Sequence, residues 1–137
     1  MNILRFRKGV KPMPSRKLDD LTPECQEKAV AFIGICGLLG IKILVTCTLR
    51  SNEEQQAIWD QGRTKPGKIV TNARPGQSKH NPDSTGKSRA LDVAFLLESG
   101  DATWEGPWER LGIIASLVGL KWGGNFVSFK DYPHFEV

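Results

Sequence analysis

Between Arg89 and Leu97 apolar positions alternate strictly with small or polar ones: Leu91, Val93, Phe95 and Leu97 face one way, Ala90, Asp92 and Ala94 the other. Two-residue periodicity of this kind marks a strand with one buried face. The segment Ile41 to Leu49 repeats it, with Ile41, Ile43, Val45, Cys47 and Leu49 on the apolar side and Thr46, Thr48 and then Arg50 on the polar side. The tail Lys121 to Val137 reads as two short strands around a turn near Gly123, Gly124 and Asn125, and in the last strand Phe135 and Val137 oppose His134 and Glu136.

Between these strands the period changes. Thr22 is an N-cap, Pro23 a first helical residue, and Cys25, Ala29, Phe32, Ile33, Cys36 and Leu39 form a stripe at helical spacing that Gly40 closes. Ser51 and Glu54 have capping-box spacing for a short helix to about Gln61. Pro107 opens a third helix with Leu111, Ile114, Ala115 and Val118 buried and Gly119 at its end. From Gly62 to Lys87 the chain is rich in Gly, Pro, Asn, Ser and Lys without periodicity, a long loop of the kind that is usually functional or disordered. The expected fold is α+β: a small, mostly antiparallel sheet with its polar side chains on one face and helices packed on the other.

Composition narrows this further. A chain of 137 residues with 39% hydrophobic residues suits one domain over 1–137 with a single core. No apolar run is long enough to span a bilayer, and the first twenty residues hold no apolar stretch ending in a small-residue cleavage site. The expectation is a protein made in the cytoplasm without stable membrane insertion, and a monomer. The net charge of +4 is concentrated in Arg5, Arg7, Lys8, Lys11, Arg16 and Lys17, so residues 1–17 read as a basic, solvated and mobile segment. No nucleic-acid reader motif accompanies that charge, which excludes a nucleic-acid-binding reading. Cys25, Cys36 and Cys47 are odd in number and lack C-x-x-C spacing, so they read as small buried apolar groups rather than a disulfide framework.

The chain has only two histidines, His80 and His134. His134 and Asp92 both project from strand faces opposite the apolar residues, and if the two strands share one sheet they converge on one polar surface. Two imidazoles and one carboxylate leave the fourth position of a tetrahedral zinc ion open, the arrangement of a catalytic site. Zinc in such a site acidifies water and polarises a carbonyl, so amide hydrolysis needs no side-chain nucleophile.

Longer motifs make the reading specific. Gln61-Gly-Arg-Thr-Lys-Pro-Gly-Lys-Ile-Val-Thr-Asn72, Ser78-Lys-His80, Ala90-Leu-Asp92, Asp131-Tyr-Pro-His134-Phe, and Arg50-Ser51 followed by Gln55 resemble the phage and bacterial L-alanyl-D-glutamate endopeptidases. That group belongs with the D-alanyl-D-alanine carboxypeptidases, and the likeness runs from about Leu18 to the C-terminus. The resemblance implies zinc ligands at His80, Asp92 and His134, a general base at Asp131, and Arg50 steadying the substrate carbonyl and its developing charge. Ser78 matches a serine near the substrate. The implied activity is a zinc-dependent peptidoglycan peptidase cutting the L-Ala–D-Glu bond of stem peptides, in the manner of an endolysin that meets the periplasmic wall after release from the host cytoplasm.

One departure stands out. The family pattern S-x-H-x-x-G-x-A-x-D puts the aspartate seven positions after the histidine, whereas Asp92 follows His80 by twelve, with Asn81 to Lys87 as added loop and Ser88 in the glycine's place. Asn81-Pro82-Asp83 and Gly86 suit a surface turn, which would leave the strand-borne ligand undisturbed. Trp122 and Tyr132 are candidates to line the substrate groove. Glu136 is either a hydrogen-bond partner of His134 or a surface carboxylate, and Lys65, Lys68 and Arg74 either meet the acidic wall peptide or are simply solvated. Two rival functions remain. A D-alanyl-D-alanine carboxypeptidase or dipeptidase would need a cation such as Arg74 or Lys79 for a terminal carboxylate, and a non-catalytic wall-binding domain would not need the metal set at all.

Overall fold

The computed structural model describes residues 13–137. Three α-helices and five strands follow one another among the described residues: α1 Pro23–Leu38, β1 Ile43–Cys47, α2 Asn52–Asp60, β2 Ala90–Leu96, β3 Ala102–Thr103, α3 Trp108–Val118, β4 Lys121–Trp122 and β5 His134–Glu136. The helix signals act as expected. The Thr22 hydroxyl accepts from the Cys25 amide with Pro23 in the first turn, and Ser51 and Glu54 form a complete reciprocal capping box. Gly119, at φ +86°, ends α3 in the left-handed conformation that glycine adopts without a Cβ clash.

The sheet has the order β1-β2-β5-β4, with β3 also on β2, and every strand pair in it is antiparallel. Its core face carries Val45, Leu91, Val93, Phe95, Trp122 and Phe135, covered by Cys25, Ala29, Phe32 and Cys36 of α1 and by Leu111, Ile114 and Ala115 of α3. Phe32 and Phe135 are fully buried with ring centroids 4.7 Å apart, joining α1 to the strand that carries His134. Burial pushes the Cys25 and Cys36 thiols up to about 11, the behaviour of inert core groups.

The expected α+β fold holds, with α1 and α3 packed on the apolar face of the sheet; α2 adds nothing to that core, its one fully buried side chain being the polar Gln55. Three details differ from the sequence pattern. Leu39 is solvent-exposed, since the chain leaves α1 at Leu38 and the stripe ends one turn early. Strict alternation also fails in β1. Val45 pairs with Val93 but Cys47 pairs with Asp92, so Thr46 is the extra residue of a β-bulge, and Cys47 moves from the core face to that of Asp92. Finally, the basic segment is fixed at its inner end. Ser15 exchanges backbone hydrogen bonds with Thr48 and Leu49, and the Lys17 carbonyl accepts from the Thr48 hydroxyl. Arg5, Arg7, Lys8 and Lys11 lie outside the described residues.

The long loop from Gln61 to Arg89 has no helix or strand, yet it is closely tied. Ser88 is fully buried, bonded through its backbone to Asp20 and Thr22 and through its hydroxyl to Ala90, which anchors the loop's far end next to α1. The added residues split. Pro82 to Lys87 form an exposed turn closed on the Asp83 carboxylate, which accepts from the backbone of Thr85 and Lys87, but Asn81 is buried and belongs to the interior.

If the contact between Phe32 and Phe135 fastens α1 beneath the site, Phe32→Ala should cost about 3–5 kcal/mol. A urea titration should show a lower midpoint with an unchanged slope. A loss under about 1 kcal/mol would show that the helix is held mainly elsewhere.

Candidate metal centre and active site

Register in the sheet creates the site. Cys47, Asp92 and His134 stand opposite one another across β1, β2 and β5, in one row on the face away from the core. His80 arrives from the loop. Its carbonyl accepts from the Arg50 amide at 2.9 Å, which sets the loop against the chain just after β1 and turns the ring into the row.

Three donor atoms meet there. His80 Nε2 is 3.0 Å from Asp92 Oδ1, His134 Nδ1 is 3.3 Å from the same oxygen, and the two nitrogens are 3.2 Å apart. A tetrahedral ion with bonds of about 2.0–2.1 Å spaces its ligand atoms about 3.3 Å apart, so the triangle has the size of one face of such an ion's coordination shell. Protons satisfy this arrangement poorly, because both rings compete for one oxygen and their nitrogens confront each other. The remaining ring nitrogens are already committed. His80 Nδ1 donates to the Thr48 carbonyl at 2.7 Å, and His134 Nε2 to the Glu136 carboxylate at 2.8 Å. Both assignments leave the lone pairs of His80 Nε2 and His134 Nδ1 facing the triangle, as metal-binding histidines require.

The charge state of the protein without a cation tells the same story. Burial disfavours ionised Asp92, but the two imidazoles overcome it and hold the carboxyl well below the usual range. Burial likewise opposes protonated His80, yet the facing Asp92 carboxylate lifts it to about 10. His134 is raised too, burial being outweighed by its bonds to Asp92 and Glu136. The carboxylate thus holds positive charge around itself, a role that a divalent ion fills with one particle instead of two protons.

Asp131 and Arg50 flank the triangle. Asp131 sits in the turn before β5, where its amide donates to the Gly123 carbonyl and its own carbonyl accepts from the His134 amide. Gly123 permits this approach, because a Cβ there would lie 2.2 Å from the Asp131 carbonyl oxygen. The Asp131 carboxylate comes within 3.9 Å of His134 Nδ1, and burial, reinforced by the Asp92 charge, raises its pKa. Arg50 Nη2 is 3.8 Å from Asp92 Oδ2.

All of these groups open onto one cleft of about 630 Å³, lined also by Val70 to Ala73 and by Phe126, Ser128 and Phe129. Ser78 and Lys79 line it as well, the Ser78 hydroxyl accepting from the His80 amide. Two candidates fall elsewhere. Trp122 belongs to the core face and its indole donates to the Tyr132 carbonyl, while the Tyr132 ring leans on Trp122 at 5.7 Å, so neither lines the cleft. Of the loop cations, Arg74 lies over the Trp59 ring at 5.1 Å, and Lys79 donates to the Val137 carbonyl.

Cys47, Gln55 and Asn81 escaped the sequence reading as parts of the site. Cys47 Sγ lies 3.6 Å from both His80 Nδ1 and Arg50 Nη2. Cys47, His80 and Asp92 also form a cluster able to hold a metal, as do Asp92, Asp131 and His134. In the first of these the thiol approaches the ring nitrogen already bonded to Thr48, so it sits behind the imidazole rather than at the triangle.

Comparison with known proteins gives the same direction. A family model described as D-alanyl-D-alanine carboxypeptidase matches residues 71–137, which hold all three triangle residues and Asp131. The chain is 36% identical to the peptidoglycan L-alanyl-D-glutamate endopeptidase CwlK of Bacillus subtilis over 92% of its own length and 76% of that protein. Its fold matches the crystal structure of the Serratia marcescens L-Ala D-Glu endopeptidase ChiX, with a TM-score of 0.59 at 22% identity over 88% of this chain and 82% of that one. It also matches the LD-carboxypeptidase LdcB, with a TM-score of 0.60 at 16% identity over 85% of this chain and 58% of that one. Identity at this level across most of both sequences settles kinship with the first of these relatives: the chain belongs to the metallopeptidase family of the peptidoglycan L-alanyl-D-glutamate endopeptidases.

Proposed function

We propose that this chain is a zinc-dependent peptidoglycan peptidase that hydrolyses the L-Ala–D-Glu bond of cell-wall stem peptides, as a monomer. The observation that carries the chemistry is the triangle of His80 Nε2, Asp92 Oδ1 and His134 Nδ1, 3.0–3.3 Å on each side, at the floor of an open cleft. What supports the choice of bond is the 36% identity to an endopeptidase of that specificity. The endolysin setting, in which the enzyme is made in the cytoplasm and meets the wall after release, is carried by the motif resemblance; the relative named above is bacterial.

His80, Asp92 and His134 would hold the zinc ion, which supplies Lewis acidity and a water acidified toward neutrality. Asp131, with its pKa raised by burial and by the Asp92 charge, is the base that takes a proton from the attacking water. The same carboxyl then delivers a proton to the departing amine. Arg50 stands beside Asp92, where its guanidinium meets the negative charge that develops on the carbonyl oxygen. Glu136 bonds to the far nitrogen of His134 and keeps that ring in one tautomer.

The family model that matches is described by a carboxypeptidase activity, so that rival keeps a specific observation in its favour. Digestion of muropeptides followed by mass spectrometry separates the readings. An endopeptidase leaves L-alanine on the sugar and releases a peptide that begins with D-glutamate, whereas a carboxypeptidase releases only single D-alanine. Chelation should abolish the cleavage and added zinc restore it; full activity in verified metal-free protein would overturn the mechanism.

The two aspartates should separate by role. Asp92→Asn removes an anionic ligand and should lower zinc content measured by mass spectrometry. Asp131→Asn should keep its zinc yet lose roughly two to four orders of magnitude in kcat, with KM changed much less. Near-normal activity of Asp131→Asn alongside an inactive Glu136→Gln would place the base on the wrong carboxylate.

A further inference from the structure

Behind the cleft wall lies a buried polar network that neither the metal site nor the proton transfer uses. Gln55 on α2 is fully buried, and every hydrogen-bonding position of its amide is filled. Its oxygen accepts from Arg50 Nη1 at 3.2 Å and from Asn81 Nδ2 at 3.3 Å. Its nitrogen donates to the Ala73 carbonyl at 2.8 Å and to the Thr71 hydroxyl at 3.3 Å. Asn81, 3% exposed, is equally complete: Nδ2 also donates to the Arg50 carbonyl, and Oδ1 accepts from the amides of Gly76 and Ser78. A fully satisfied buried network is rigid, and a broken one leaves polar groups stranded at a cost.

What the network joins is specific. One arm ends on the guanidinium that faces Asp92; the other ends on Thr71 and Ala73, which line the cleft. We infer that Gln55, locked by Asn81, is a positioning residue that fixes the Arg50 guanidinium and the Thr71–Ala73 wall relative to each other, so that the charge meeting the reacting carbonyl stays in register with the surface the peptide lies against. The inference rests on the peptidase reading above. Asn81 belongs to this lock rather than to the exposed turn that follows it, which explains why a residue of the added loop is among the most buried polar groups of the chain.

A double-mutant cycle on kcat with purified muropeptide tests it. Gln55→Met is near-isosteric and removes every bond of the amide. In the wild-type background it should lower kcat about tenfold or more while zinc stays at one per chain. In an Arg50→Ala background the same change should alter kcat by less than about twofold, because the group it positions is gone. Equal losses in both backgrounds, or loss of zinc, would overturn the assignment. If Gln55→Met does not fold, Gln55→Glu keeps an oxygen toward Arg50 but no longer donates to Ala73. It should raise KM several-fold and leave kcat within about threefold. An unchanged KM there would overturn the wall-holding role. Wild-type protein inert toward muropeptides would overturn the peptidase reading and this assignment together, whereas active wild type with additive losses would overturn the assignment alone.

Discussion

The Asp92 carboxylate stands in β2 between two imidazoles, and the geometry of the site follows from meeting its charge. A carboxylate withdrawn from water costs several kcal/mol unless positive charge meets it, and here His80, His134 and Arg50 all do so. The attraction is mutual: Asp92 is held ionised and both imidazoles are lifted toward their charged forms. Such a cluster is weak as a source of stability but strict in its geometry. It makes sense as a receptacle for a cation that replaces the protons.

Holding three donors within 3.3 Å of one another requires support from outside the triangle. The sheet register supplies it for Asp92 and His134, and the packing of Phe32 against Phe135 fastens that register to α1. His80 comes from a loop and depends on hydrogen bonds instead: to Thr48 through its ring, to Arg50 through its carbonyl, and to Ser78 through its amide. The network of Gln55 and Asn81 then secures the segment that carries it. His80, although on a loop, is thereby held through its ring, its carbonyl and its amide.

Much of this was legible in the sequence because period-two alternation states a side chain's direction directly. Asp92 and His134 fall on the polar face of their strands as the pattern demands, and the capping residues of α1 and α2 act as the spacing implies. What stayed hidden depends on tertiary contacts. The bulge at Thr46 leaves no mark in the alternation of residues 41–49, yet it moves Cys47 from the core to the site. Asn81 reads as turn chemistry, and only burial reveals it as a bridge. Trp122 has the look of a groove aromatic, but its pairing with Phe135 commits it to the apolar face. Asp131 is marked by its motif, and the turn that aims it depends on Gly123, whose missing side chain makes room for the Asp131 carbonyl.

In the proposed site the metal rests on His80 Nε2, Asp92 Oδ1 and His134 Nδ1, with Cys47 behind the imidazole and outside the coordination shell. Zinc-edge X-ray absorption on the loaded protein addresses it directly, since nitrogen and oxygen ligands lie at about 2.0–2.1 Å and thiolate sulfur at about 2.3 Å. The expected spectrum is that of a shell of nitrogen and oxygen alone, with the multiple-scattering signature of two imidazoles. A sulfur contribution, or the signature of a single imidazole, would contradict it.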